Sequence, residues 1–382
     1  MYKQGKCYKC GGFLAVNEAE DATVCLFCNQ PIVTEKAIRC FEENSAQAPA
    51  APEKPVVADS DFVVAGGVLI RYDGFTKTDI RIPEGVKVIG DAAFQGMNNI
   101  ESVQIPAGVE IIRAGAFSGC KNLHSVSIPA GVKIIDRDVF SGCISLKSVR
   151  FPDSVRILDA GALTGCTALE SVMIPSAVEL LPWRIFEGCI SLKSVTIPEK
   201  VKTIEDYAFA ECTALESVTF ACMRANGDPS AGVRRIGMNA FRNCTALSRI
   251  DLPETVEYIG NQAFRGCEKL TALRIPQSVK AIYPLAFADC TALESVSFVG
   301  KTELYKGSNP YKHGNNVATF FNCPKLLTVD FRNLQKHYWA FPAYMKAQEP
   351  EFIAHGRCRY CGGKFIGAAA KVCTVCKAPK DY

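Results

Sequence analysis

Eight cysteines are spaced to hold metal. Near the N-terminus Cys7 and Cys10 are followed by Cys25 and Cys28, and near the C-terminus Cys358 and Cys361 are followed by Cys373 and Cys376. Two sulfurs from one tight Cys-x-x-Cys turn chelate one edge of a tetrahedron and a second turn closes the other, the arrangement zinc takes with four thiolates. Gly11-Gly12 and Gly362-Gly363 follow the first pair of each set, where glycine lets the backbone turn beneath the metal and aim amides at the sulfurs. The expectation is two structural Zn2+ ions in zinc-ribbon-like modules too small to hold a core without metal. A rubredoxin-like iron site uses the same four sulfurs, and spacing alone does not separate the two metals. A redox dithiol wants one Cys-x-x-Cys in a larger α/β frame. With every coordination position taken by protein, no place is left for water or substrate, so hydrolytic metal chemistry is not expected.

The remaining cysteines point elsewhere. Cys120, Cys143, Cys166, Cys189, Cys212, Cys244, Cys267, Cys290 and Cys323 share one phase of a repeat, the first five spaced 23 residues apart. Met97 occupies the same phase. A stack of redox or metal-binding thiols is the functional reading; a small apolar side chain at a fixed inward position is the simpler one, since a free cysteine behaves as a small buried hydrophobe. Cys40 and Cys222 fall outside both patterns and are read as uncoordinated thiols.

The elements that position these cysteines follow from the repeat, Leu-x-Ser-Val-x-Ile-Pro-x-x-Val-x-x-Ile-x-x-x-Ala-Phe-x-Gly-Cys-x-x. One copy reads Leu192, Ser194, Val195, Ile197, Pro198, Val201, Ile204, Ala208, Phe209 and Cys212. Such a unit cannot close a core alone, so copies must stack. The Leu-x-x-Val-x-Ile stretch alternates as a short strand, and the following Pro removes a ladder donor and ends it. About 11 strands then form a parallel sheet at about 4.8 Å per rung, a curved rod on the order of 50 Å long. The Val-x-x-Ile-x-x-x-Ala-Phe stretch is expected to return as turns and a short helical segment, with Phe filling the layer between coils. The expected fold is thus an α/β-type repeat solenoid flanked by two zinc-ribbon-like modules. Leu163 replaces the Phe in one copy, Pro182 and Trp183 occupy one return turn, and Ala221 replaces a Pro; these are read as local adjustments. Two longer intervals place surface loops near 223–232 and 300–316.

The domain reading is a zinc-ribbon-like module at 1–40, a Pro/Ala-rich linker at 41–60, the solenoid at 61–335, an aromatic C-terminal cap at 336–352 with Tyr338, Trp339, Phe341 and Tyr344, and a second zinc-ribbon-like module at 353–382.

The Leu-x-Ser-Val-x-Ile-Pro, Ile-Gly-x-x-Ala-Phe and Gly-Cys-x-x-Leu signatures resemble the BspA-like class of bacterial leucine-rich repeats over roughly residues 67 to 331, and Val68 to Gly74 resembles that class's capping rung. The resemblance implies a right-handed curved solenoid used for protein binding, in a family best known for surface adhesins with secretion signals. Here the first residues, Met1 to Cys10, are polar and no run of 18 apolar residues occurs; a cytoplasmic location is therefore expected, with an exported adhesin as the alternative.

Composition bounds the chemistry further. Lys and Arg number 43 against 39 Asp and Glu, so no global field favours nucleic acid or an anionic membrane. With only four histidines, no Ser-His-Asp or Cys-His set and no phosphate loop, a non-enzymatic role is expected. The strand positions before Ser, at Ser, and between Val and Ile face outward on one wall. They include His124, Lys147, Arg150, Glu170, Met173, Lys193, Glu216, Arg249, Asp251, Arg274 and Glu294, with a basic cluster at Lys147, Arg150 and Lys193 that favours an acidic protein partner. The same residues also suit an ordinary solvated face. Tyr305, Tyr311 and His313 in the second insertion are a weaker candidate surface. Nucleic acid is the alternative partner, through Arg357, Arg359, Tyr360, Lys364 and Phe365. Over residues 346–382 the excess of seven basic over three acidic residues falls from +4 to about +2 once four thiolates and one Zn2+ are counted.

Overall fold

The structure, a computed structural model, describes residues 61–222, 231–305, 318–329, 340–344 and 347–348 in full, 223 as the end of a 3-10 turn, and 2–6, 13–17, 22–24, 31–33, 56–58, 307–308 and 316–317 as strands. Two compact units divide the chain, Met1–Val56 and Val57–Tyr382. In the first, Tyr2–Lys6 pairs antiparallel with Phe13–Asn17, and Ala22–Val24 pairs antiparallel with Pro31–Val33.

The second unit is a parallel β-solenoid. Its first wall carries the expected Ser-Val-x strands, from Asp79–Arg81 to Thr328–Val329, with serine stacked on serine: Ser102 on Ser125, Ser148 on Ser171, Ser194 on Ser217. These strands are three or four residues long except at Arg249–Ile250 and Thr328–Val329, and their ladder is hydrogen-bonded in groups of two or three. Where a proline follows the strand its carbonyl closes a turn by accepting the N–H three residues on, as from Pro106 to Val109 and Pro152 to Val155. Val195 and Ile197 point inward while Ser194 and Thr196 are exposed, the period of two that a half-buried strand requires.

The return differs from the sequence expectation. Each rung forms a second two-residue strand, not a helical segment: Val88–Ile89, Ile111–Ile112, Ile134–Ile135 and Ile157–Leu158 pair in one parallel ladder with the leading hairpin strand Val68–Tyr72, and Leu180–Leu181 begins another that runs to Glu303–Leu304. A helix is excluded by backbone handedness. Each complete rung has a residue at positive φ before the Ala-Phe pair and another before the cysteine, such as Gly115 (62°) and Gly119 (72°), conformations that break a right-handed helix. The position before cysteine keeps positive φ even where glycine is replaced, at Glu211, Asn243, Asp289 and Asn322.

Phe rings form the spine. Phe94, Phe117 and Phe140 stack at 4.9 and 5.5 Å between centroids, and Phe186, Phe209, Phe241, Phe264, Phe287 and Phe320 continue at 5.1 to 5.3 Å, the two runs separated by Leu163. Tyr72 and Phe62, on the antiparallel hairpin of Phe62–Ala65 with Val68–Tyr72, cover the first end. Phe341 stacks on Phe320 at 4.8 Å, which gives the expected cap its contact with the core. Tyr338 and Trp339 lie outside the described residues.

The insertions differ in their anchoring and position from the sequence expectation. Ala221–Met223 forms a 3-10 turn, and Cys222, Ala231 and Val233 are buried, so the first insertion is anchored inward at both ends; 224–230 lie outside the described residues. In the second, Glu303–Leu304 is the rung's own return strand, with Leu304 buried and Thr302 taking the inward valine position by donating to the Val279 carbonyl (3.0 Å). The added residues begin after it, where Gly307–Ser308 pairs antiparallel with Asn316–Val317.

Candidate binding face

Within the solenoid the cysteines are structural. All nine phased thiols are fully buried, and each donates to a backbone carbonyl of the preceding rung: Cys120 to Phe94 (3.0 Å), Cys143 to Phe117 (3.1 Å), Cys189 to Leu163 (3.3 Å) and Cys323 to Phe287 (3.1 Å). Burial pushes the Cys120 thiol up to about 12, and pushes Cys166, Cys189 and Cys244 well above the ordinary thiol range. Such groups stay protonated and unreactive at neutral pH. Among the described residues every cysteine is free of disulfides, and no group of three or more His, Cys, Asp or Glu is placed to hold a metal. The proposed ligands Cys7, Cys10, Cys25, Cys28, Cys358, Cys361, Cys373 and Cys376 lie outside the described residues, as do Cys40, Tyr311, His313, Arg357, Arg359, Tyr360, Lys364 and Phe365.

The outward positions of the first wall assemble as the repeat phase requires. His124, Lys147, Arg150, Glu170, Met173, Lys193, Glu216, Arg249, Asp251, Arg274 and Glu294 are all exposed on it. Its charges are not equivalent. Arg249 is held by Asp251 (2.9 Å) and Arg274 by Glu254 (2.6 Å), so both are already neutralised within the chain. His124 sits beside the Asn122 carbonyl, with Nδ1 3.2 Å from it. Among the described residues no carboxylate pairs with Lys147, Arg150 or Lys193. Backbone bonds from Glu170 N–H to the Lys147 carbonyl (2.9 Å) and from Lys193 N–H to the Glu170 carbonyl (3.5 Å) put these three residues on successive rungs. Glu170 thus tempers the field between the two lysines. Arg150 stands in register with Met173, which is 55% exposed. Its charge also helps hold the Asp153 carboxyl below its ordinary range, chiefly a result of two hydrogen bonds from Ser176. The patch is a cationic margin around an exposed thioether, floored by Ser148, Ser171 and Ser194.

The second wall has its own outward columns, of which the sequence pointed only to Tyr305, as part of the second insertion, because turns and a helical segment were expected there. They include exposed Trp183, Tyr258, Tyr283 and Tyr305. Reading residues in register across the Ile-Gly signature is the signal that finds them. No helix among the described residues is long and apolar enough to cross a membrane.

Comparison with known proteins finds other repeat proteins. Solved structures that resemble the chain include a leucine-rich repeat protein from Bacteroides ovatus, 23% identical over 77% of this chain and 96% of that one, with a TM-score of 0.34. A leucine-rich cell surface protein from Faecalibacterium prausnitzii is 24% identical over 78% and 99%, with a TM-score of 0.39. A pneumococcal vaccine antigen is 18% identical over 69% and 76%, with a TM-score of 0.41. No curated protein matches the chain. The family model for the BspA type leucine-rich repeat region matches in six copies, over residues 72–182, 111–230 and 228–336. With its repeat phase, buried Phe and Cys columns and parallel ladders, the chain belongs to the BspA-type leucine-rich repeat family.

Proposed function

We propose that the chain is a non-enzymatic scaffold that binds an acidic protein through the first wall of its solenoid. The observation that supports this most directly is that Lys147, Arg150 and Lys193 have no ion-pair partner among the described residues, whereas Arg249 and Arg274 on the same wall are paired. Unpaired cations around exposed Met173 offer charge complementarity at the margin and an adaptable apolar contact at the centre. His124, Arg249 and Arg274 extend the same surface. The terminal cysteine sets are proposed to hold one Zn2+ each. Each of the two cysteine pairs falls between the strands of one antiparallel pair, Cys7 and Cys10 in the first and Cys25 and Cys28 in the second, which supports one tight turn per Cys-x-x-Cys. A closed four-thiolate site supplies structure and no reaction. The reading keeps the protein in a reducing cytoplasm, where ten buried thiols outside any disulfide are stable.

The test compares the wild-type chain with the variant Lys147→Glu, Arg150→Glu, Lys193→Glu and with a control, Lys133→Ala, beside the return strand Ile134–Ile135 and away from the first wall, in quantitative affinity capture from source-cell extract at low and raised salt. The expected result is an acidic protein retained by wild type and control, lost from the triple variant and insensitive to nuclease. Identical capture by all three proteins refutes the assignment of the face, and loss on nuclease treatment makes nucleic acid the ligand.

A further inference from the structure

The second wall carries a notch whose floor cannot be filled. The column that follows each return strand reads Pro182, Glu205, Gly237, Gly260, Tyr283 and Tyr305 on successive rungs, set by the pairing of Arg235 with Tyr258, Tyr258 with Ala281 and Ala281 with Glu303. Two adjacent rungs therefore present no side chain. Neither glycine has positive φ; each is required by close approach. A Cβ on Gly260 would stand 2.5 Å from the Gly237 carbonyl carbon, and one on Gly237 would stand 2.6 Å from Asp206 Oδ1. The gap is part of the rung spacing.

The groups around the floor are of two kinds. Tyr283 closes one end: it stacks on Tyr305 at 5.0 Å with 8° between ring planes, so its other face overlooks Gly260. Tyr258 stands along one side and Met238 along the other, at 39% and 38% exposure. The hydrogen-bonding groups are Arg235, Asn261 and Asp206, shared in part with a shallower hollow that reaches Trp183 and Glu205. Asp206 Oδ1 already accepts the Met238 N–H (2.7 Å), and Glu205 Oε2 accepts the Trp183 N–H (3.0 Å). Both carboxylates are thus held in place by backbone. Asn261 Oδ1 accepts from Gln262, leaving its amide N–H groups directed to no partner among the described residues. Arg235 makes no ion pair there either.

Charge selects the ligand class. Two carboxylates, Glu205 and Asp206, stand beside Arg235, while the nearby cations are already paired: Arg184, over the Trp183 ring at 4.8 Å, is held by Glu187, and Lys280, over the Tyr258 ring at 5.9 Å, by Glu257. This near balance favours neither an anion nor a cation. A fixed aromatic face supplies apolar contact at low entropy cost. Donors and acceptors ranged around the floor suit a ring that is apolar on its faces and hydroxylated at its edge. We propose that the notch binds a pyranose ring of a neutral glycan, with Tyr283 as the stacking platform and Arg235, Asn261 and Asp206 contacting its hydroxyls. This function is separate from protein binding on the first wall.

The experiment titrates the full chain with cellotetraose, maltotetraose and chitotetraose, read by calorimetry and by saturation-transfer NMR. Arg235→Ala removes an exposed side chain and should leave thermal unfolding unchanged, while Tyr283→Ala also removes the stack on Tyr305 and should lower it only slightly. Lys147→Glu, on the other wall, is the control. The expected result is saturable binding of at least one tetrasaccharide, weakened about tenfold or more by each of the two notch variants and unaffected by the control. No saturable binding of any of the three, or equal binding by Tyr283→Ala and Arg235→Ala, overturns the proposal. Charged competitors separate the remaining outcome: displacement by a lysine-rich peptide but not by a sugar also overturns it.

Discussion

Alkali should unfold the solenoid well before its lysines titrate, because the thiols of its core are the first groups whose ionisation differs between folded and unfolded chains. Eight of the phased cysteines, Cys120, Cys143, Cys166, Cys189, Cys212, Cys244, Cys267 and Cys290, have thiols raised by burial or by a neighbouring thiol, Cys120 to about 12. In the unfolded chain a thiol ionises near 8.5. Below that value both states are protonated and the contribution to stability is complete. Above it the unfolded state sheds protons that the folded state retains, so stability falls as pH rises, and it goes on falling up to the folded values. At about pH 9.5 the loss is about 1.4 kcal/mol per thiol, or about 11 kcal/mol for the eight. That matches the whole stability of a typical domain. The assay is urea unfolding followed by circular dichroism at about pH 7.5, 8.5 and 9.5 with a phosphine reductant present. Stability should fall by about 3 kcal/mol over the first interval and by about 8 kcal/mol over the second, so the midpoint drops modestly and then collapses. Cys189→Ala with Cys212→Ala should lessen the collapse by about a quarter. A midpoint that is the same at about pH 7.5 and 9.5 would refute the reasoning, since it would mean that the thiols ionise in place.

Three further outcomes are expected. Gly142→Ala should cost about 1–2 kcal/mol in urea unfolding through its φ of 71° alone, because the added Cβ meets nothing nearer than 3.8 Å, while Gly260→Ala should cost more because its Cβ meets backbone at 2.5 Å. Phe209→Ala should cost about 3–5 kcal/mol by the same measurement, since it removes a fully buried ring stacked on both neighbours. Elemental mass spectrometry on protein purified without added metal should find two zinc ions per chain, and stripping them with a chelator should leave the solenoid's β-signal intact; iron in their place, or oxidised terminal pairs without metal, would displace the zinc reading.

The first wall was legible in the sequence because one strand of alternating burial, ended by proline, leaves a strictly periodic trace. So was the Phe and Cys core: an inward position cannot vary without disturbing the rung on either side, and even Leu163 announces the gap in the stack that it makes. The return wall misleads for a specific reason. Val132, Ile135, Val139 and Phe140 fall at the i, i+3, i+7, i+8 spacing of a buried helix face. The same residues are buried by two short strands and a chain of turns, and what distinguishes the cases is positive φ at Asp138 and Gly142. A strand of two residues such as Ile134–Ile135 has no alternation to detect. The second insertion was misplaced because an interval length says how many residues are added, not after which one.

A repeat protein must keep its inward columns regular, so recognition has only the outward columns in which to vary, and departures from period carry more information than the consensus. On the first wall the departure is electrostatic: arginines that pair within the chain at Arg249 and Arg274 give way to unpaired cations at Lys147, Arg150 and Lys193. On the second it is steric. Pro182 and Glu205 lead into two bare rungs at Gly237 and Gly260 and then into the stacked pair Tyr283 and Tyr305. Neither departure contributes to the core, since Met173, Tyr258 and Tyr283 are all substantially exposed. Stability requires the two bare glycines, where a Cβ would meet the neighbouring rung, but not the exposed side chains that surround them. Both surfaces can therefore be altered one side chain at a time without disturbing the ladders beneath, which lets a protein partner on one wall and a glycan on the other be tested independently.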